Sequence, residues 1–289
     1  MKARVVFFGT PEFVIPVLKS LYLNFDLVGV VTAPDSIQGR KKLLTPSPVK
    51  KYCLERSLSP IFTPERLDHP TAKDLKTLRP DLFIVAAYGK ILPKIILDIP
   101  TQGALNIHPS LLPNYRGPSP IQSAILNGDY KTGISIIKMD DQMDHGPILK
   151  QWVFPISEKD TSESLHTNMF ADASKKLPSI IEDYLQGSLS PQPQDDTQAT
   201  YCPLITKKSG FFSLKNPPSP EILDRMIRAY YPWPTVWTTL KIKEKEVRIK
   251  FLPDYKLQVE GGKPLTLKEF LNGYPELKTT IQKLFNLPS

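Results

Sequence analysis

An amide and an imidazole spaced two residues apart at the end of an apolar run can do chemistry together. In Ala104-Leu-Asn106-Ile-His108, strand alternation would place Asn106 and His108 on one face. Side by side, they could stabilise an oxyanion and deliver a proton. Asp144 follows thirty-six residues after the histidine, in Met139-Asp-Asp-Gln-Met-Asp-His145-Gly146. That segment leaves a strand-like stretch and is expected at the same rim of a sheet, where it could bring a carboxylate to the imidazole. Residue types alone leave a second possibility open, a structural histidine near a strand end with surface aspartates. Between the two segments, Ser110-Leu-Leu-Pro113-Asn-Tyr-Arg116-Gly117 reads as an irregular loop fixed by proline and glycine. It has a leucine wall, and Arg116 could bind an anion.

Several common chemistries have no footing in the chain. The first strand–helix turn, Gly9-Thr-Pro-Glu-Phe13, lacks the later glycines of a dinucleotide fingerprint and sets proline and glutamate where a pyrophosphate would approach. No G-x-x-x-x-G-K-[ST], G-x-S-x-G, H-E-x-x-H or C-x-x-C occurs. Cys53 and Cys202, the two cysteines, are too few for a disulfide scaffold or a cysteine metal site. Catalysis is therefore expected without a covalent nucleophile and without a metal.

The elements that must position these residues alternate. Val5–Phe8, Leu27–Thr32, Asp81–Ala87, Ala104–His108 and Gly133–Met139 read as strands. Helices are expected after Thr10-Pro11-Glu12, after Ser47-Pro48 and between Pro120 and Asn127. One long helix is expected over residues 161–186, ending at Gly187. The pattern predicts an α/β fold, a Rossmann-like, doubly wound, mostly parallel sheet binding ligands at its strands' carboxyl ends. The stretch 188–206, polar and proline-bearing at its start, reads as a linker between a domain over 1–187 and a second over 207–289. Ile222–Tyr230 looks helical. Val236–Lys241, Glu246–Leu252 and Lys256–Glu260 alternate as antiparallel strands, so the second domain is expected to be small, β-rich, barrel-like and abbreviated.

Composition sets the remaining bounds. The chain has 289 residues, 23% charged and 40% hydrophobic, which excludes a disordered tail. Its apolar runs are strand-sized and no signal core opens it, so no membrane partner and a reducing, cytoplasmic setting are expected. The formal charge is +8, of which residues 201–289 carry +7, with 15 basic against 8 acidic residues. A near-neutral body with a basic appendage suits a polyanion-binding module joined to a small-molecule domain, although a solvated lysine-rich surface fits equally well.

Asn106-x-His108, then Ser-Leu-Leu-Pro-x-x-Arg-Gly, then Asp144, resembles the folate-dependent formyltransferase superfamily. Gly9-Thr-Pro-x-Phe13, Gly39-Arg-Lys-Lys-Leu with Pro46-Ser-Pro-Val-Lys50, and Ile227-Arg-Ala-Tyr-Tyr-Pro-Trp-Pro234 are similar in particular to its methionyl-tRNA formyltransferase branch. The resemblance runs from about residue 3 to 238. It implies transfer of a formyl group from 10-formyltetrahydrofolate, as co-substrate, to the amine of initiator methionyl-tRNA, with Asn106, His108 and Asp144 catalytic. By the same resemblance Ser110, Leu111, Leu112 and Pro113, with Tyr88, Gly89, Ile91 and Leu92, would bind the folate. Arg40, Lys41, Lys42 and Leu43 would bind tRNA, and the basic second domain would hold its stem. A monomer is expected. The Ile227–Pro234 segment reads as core and inter-domain packing. Two departures stand out: the basic loop lacks a glycine that members commonly have after the arginine, and the stretch beyond Trp237 is short. Three rival readings are a formyltransferase for a sugar nucleotide or small amine, a formyl-folate hydrolase, and an RNA-binding protein with a relic α/β domain. The basic loop and tail count against the first two, and the intact trio against the third.

Overall fold

The structure is a computed structural model and describes residues 2–38, 43–58, 60–242 and 245–286. The chain forms two compact units. The first comprises Met1–Gly117, Gly133–Phe154 and His166–Tyr201; the second comprises Pro118–Thr132, Pro155–Leu165 and Cys202–Ser289. The second unit thus draws in two segments that a linear reading places in the first domain.

Among the described residues, nine strands precede residue 156. They are β1 (Arg4–Gly9), β2 (Asp26–Val31), β3 (Ser36–Gln38), β4 (Leu43–Thr45), β5 (Ile61–Phe62), β6 (Leu82–Ala86), β7 (Ala104–His108), β8 (Lys131–Lys138) and β9 (Ile148–Pro155). Seven of them form one sheet in the order β5-β2-β1-β6-β7-β8-β9. From β5 to β7 the pairings are parallel, whereas β8 runs antiparallel to β7. Every residue of β6 is buried, as are Val5–Gly9 of β1. Alternate side chains point to opposite faces, so both faces are covered, as the unbroken apolar runs require. Each fully buried Phe7, Phe8 or Phe83 adds roughly 1.5–3 kcal/mol of transfer free energy.

The helices of this part are α1 (Ile15–Asn24), α2 (Pro48–Glu55), α3 (His69–Thr77), α4 (Lys94–Leu97), α5 (Pro120–Asn127) and α6 (Ser162–Leu185). Ser47 caps α2, its hydroxyl accepting from Lys50 N–H at 3.0 Å. Thr10 does not cap a helix. A single 3-10 turn spans Glu12–Val14, and α1 opens only at Ile15, with Pro16 in its first turn. Proline lacks an N–H and its ring clashes with the carbonyl four residues back, so it sits at a helix start. The Thr10 hydroxyl donates instead to the Tyr88 carbonyl at 3.1 Å. On either side of the basic loop, β3 and β4 pair antiparallel, with Ile37, Leu43 and Leu44 exposed. Arg40, Lys41 and Lys42 lie outside the described residues.

In the second unit β10 (Val236–Ile242), β11 (Lys245–Leu252) and β12 (Lys256–Val259) make a three-stranded antiparallel sheet. Helices α7 (Pro220–Ala229), α8 (Leu267–Gly273) and α9 (Lys278–Leu284) supply the rest of its core. Leu223, Ile227, Phe251, Phe270 and Ile281 meet there. Among the described residues these helices take the place of the strands that would close a barrel. Ile227 is core as expected, but Trp233 is half exposed. No helix among the described residues is long and apolar enough to cross a membrane.

Candidate active site

Asn106 and His108 do share a face of β7, and Asp144 comes to both. Asn106 Nδ2 donates to Asp144 Oδ1 at 3.2 Å, and His108 Nδ1 lies 3.4 Å from the same oxygen. The other carboxylate oxygen accepts the Gly117 backbone N–H at 2.9 Å. His108 Nε2 is 3.0 Å from the Tyr115 carbonyl oxygen. A carbonyl only accepts, so that ring nitrogen carries a hydrogen. The histidine is 3% exposed and the Asp144 side chain 14%, which places the cluster in a low-dielectric setting.

The route to this arrangement differs from the expected shared rim. Because β8 is antiparallel to β7, it ends beside Ala104, where Met139 N–H bonds the Ala104 carbonyl at 2.8 Å. The following loop turns back along β7 to deliver Asp144. Its backbone is left-handed at Asp144, with φ 50°, a conformation costing a non-glycine residue about 1–2 kcal/mol. Gly146 permits the turn, since a Cβ there would strike the Lys138 carbonyl oxygen. Tyr115 is also left-handed, and Gly117 has φ 118°.

Electrostatically, burial alone would raise the Asp144 carboxyl. The His108 ring, the Gly117 N–H and the Asn106 amide outweigh burial and hold it below its ordinary range. Neighbouring His145 is raised, chiefly by its 2.6 Å hydrogen bond to Asp140 and also by Asp196.

Two residues of the presumed linker belong to this surround, and no periodicity in that stretch could reveal them. Gln194 Nε2 donates to the carbonyls of Asp144 and Gly146, each at 2.8 Å. Gln194 Oε1 accepts from Arg116 Nη2 at 2.8 Å and Nε at 3.1 Å. Arg116 also pairs with Asp196 at 2.7 Å and is 2% exposed. Its guanidinium is therefore committed within the protein and is not presented to a substrate anion.

The residues expected at a folate pocket are placed unevenly. Tyr88 and Leu92 are core side chains; the Tyr88 hydroxyl is buried with no hydrogen-bond partner among the described residues and pushed up to about 12 by burial. Ile91 is 74% exposed, and Gly89, with φ 83°, has open space on its side-chain side. Ser110 is buried, its hydroxyl donating to the Asn114 carbonyl at 2.6 Å, and Leu112 is 4% exposed with its N–H on Ser135 Oγ. Leu111 and Pro113 are half-buried. What the two segments leave outward is backbone, Ile91 and parts of Leu111 and Pro113.

A parallel-to-antiparallel α/β sheet carrying this trio defines a class. The family profile described as formyl transferase matches residues 2–181, and the chain belongs to that family. Within it the sequence falls among the methionyl-tRNA formyltransferases. It is 42% identical over 256 residues to "Methionyl-tRNA formyltransferase" of Roseiflexus castenholzii, covering 86% of this chain and 81% of that one. Among solved structures, "Methionyl-tRNA formyltransferase from Clostridium thermocellum" aligns with a TM-score of 0.58 at 21% identity, covering 91% of this chain and 96% of that one. The Helicobacter canadensis N-formyltransferase in complex with folinic acid and dTDP-3-aminofucose aligns at 0.61 and 16%, covering 92% and 99%. These structural likenesses establish a shared fold.

Proposed function

We propose that this chain transfers the formyl group of 10-formyltetrahydrofolate to the amino group of methionine esterified to initiator tRNA. The observation that carries the proposal is the convergence of Asn106, His108 and Asp144 at one buried point in a member of this family. Asn106 keeps a second N–H beyond the one spent on Asp144, and the His108 Nε2 hydrogen, held here by the Tyr115 carbonyl, would swing from it to the substrate. Both would donate to the formyl oxygen as negative charge grows there during attack by the neutral amine. One such donor is worth on the order of 3 kcal/mol of transition-state stabilisation. Asp144 orients the imidazole and relays the proton, through water, from the attacking amine toward the departing folate nitrogen.

The donor assignment is supported by the folinic acid of the Helicobacter canadensis relative, a formylated reduced folate. The folate would lie against Ile91 and Leu111 and find hydrogen-bond partners in the open backbone around Gly89. The acceptor assignment is supported by the kinship in sequence, 42% to a methionyl-tRNA enzyme. The charge of the last 89 residues, near +7, points the same way. Arg40, Lys41, Lys42 and Leu43 are assigned to the acceptor end of the tRNA by resemblance.

A competition assay offering Met-tRNA and a nucleotide-linked amino sugar to the enzyme with 10-formyltetrahydrofolate tests the reading. Formylated tRNA and an untouched sugar are expected, with His108→Ala retaining tRNA binding and losing transfer. Preferential sugar formylation, or full activity in His108→Ala, overturns it.

A further inference from the structure

Asp144 is useful to the reaction only if its carboxylate stays between Asn106, His108 and the Gly117 N–H, and its own turn works against that. The residue sits at φ 50° on a loop that reverses direction beside Lys138. Gln194 braces that turn, and its amide has no donor or acceptor left for anything else. Its amide nitrogen supplies both hydrogens to the turn, one to the Asp144 carbonyl and one to the Gly146 carbonyl. Its amide oxygen takes two arms of the Arg116 fork. Guanidinium only donates and carbonyls only accept, so the amide has a single orientation. Arg116 in turn precedes Gly117, whose N–H holds Asp144 Oδ2. The brace therefore closes on the aspartate twice, through its backbone and through its carboxylate. A second strut runs from Arg116 through Asp196 to His145, which also bonds Asp140.

We propose that Gln194 is a positioning residue for the transfer reaction, acting by holding the Asp144 turn against Arg116. This rests on the reading of Asp144 as a catalytic group. A misplacement near 1 Å at such a group can lower turnover by about 10²-fold, and a loss of that order in kcat is expected for Gln194→Leu. The KM values for formyl-folate and Met-tRNA should stay near the wild type.

Gln194→Glu separates the brace's two ends. It keeps an oxygen for Arg116 but loses the N–H pair and sets a carboxylate oxygen against two carbonyls. If the N–H pair matters, Gln194→Glu falls with Gln194→Leu, and the acid limb of the kcat–pH profile moves to higher pH in both. That movement follows from Asp144 drifting from His108, Asn106 and the Gly117 N–H, which keep its carboxyl low, and an unchanged melting temperature in both variants separates it from a general loosening of the fold. Wild-type kcat in Gln194→Glu, or an unmoved acid limb in both variants, overturns the proposal. Asp144→Ala is assayed alongside. Full activity in that variant refutes the catalytic reading itself, whereas an inactive Asp144→Ala beside an active Gln194→Leu refutes the brace alone.

Discussion

Asp144 carries the widest set of obligations in the site, and its protonation ties the site to the stability of the fold. Burial opposes its charge, yet the His108 ring, the Gly117 N–H and the Asn106 amide hold its carboxyl below the ordinary range. In the unfolded chain an aspartate titrates near pH ~3.9. A lower value in the folded state means the unfolded state binds protons first as pH falls. The ionised carboxylate therefore stabilises the native state fully above the unfolded value, and that contribution fades as pH drops through the folded one. Asp144→Asn preserves the shape and removes the titration. Urea melts should show it less stable than the wild type at neutral pH, with the gap narrowing as pH falls below about 4. A gap that stays constant from pH 7 to pH 3 would contradict the linkage.

At the scale of elements, strands and helices with strong local signals were legible, and features made by tertiary contact were not. Ala104–His108 and Pro120–Asn127 appear with the expected bounds, and the long helix differs by a residue at each end. The reversal of β8 was hidden because alternation in Gly133–Met139 fixes a strand and says nothing of its direction. Two-residue β5 is too short to carry a period, and β9 alternates only partially in burial. The residues Gln194 and Asp196 sit where the chain has no periodicity, which signals an absence of regular structure and conceals any side-chain contact. Arg116 was visible as a cation but not as a buried one. The same element scale exposes the weak point of the Asp144 turn. Gly146→Ala forces a Cβ onto the Lys138 carbonyl, and overpacking of that kind costs about 1–3 kcal/mol. A lowered melting temperature together with reduced formyl transfer is expected, and a variant that keeps both at wild-type values would show that the turn yields without moving Asp144.

Over the whole molecule, the separation of charge from chemistry matters most. Asn106, His108 and Asp144 lie in the first unit and within the near-neutral first 200 residues, while the excess of basic residues falls after residue 200. In the second unit a basic patch gathers around Trp237. The Arg248 guanidinium lies 4.5 Å over its ring and Phe211 packs 4.7 Å from it. Lys250 is its partner across β10 and β11, and its indole N–H donates to the Lys207 carbonyl at 3.2 Å. Lys207 and Lys208 are exposed. Exposed basic side chains near an aromatic are suited to phosphates, and each phosphate contact releases a counterion from the nucleic acid. Replacing Lys207, Lys208 and Lys250 with alanine should therefore weaken Met-tRNA binding and flatten its dependence on salt. The slope of log K against log salt should fall in magnitude by roughly one for each contact removed. The KM for formyl-folate, whose proposed pocket lies in the first unit, should not move. Binding measured by filter retention from low to moderate salt decides the matter: an unchanged slope in the triple variant would mean that tRNA does not touch this face, and a parallel loss of folate affinity would mean that the substitutions had disturbed the fold.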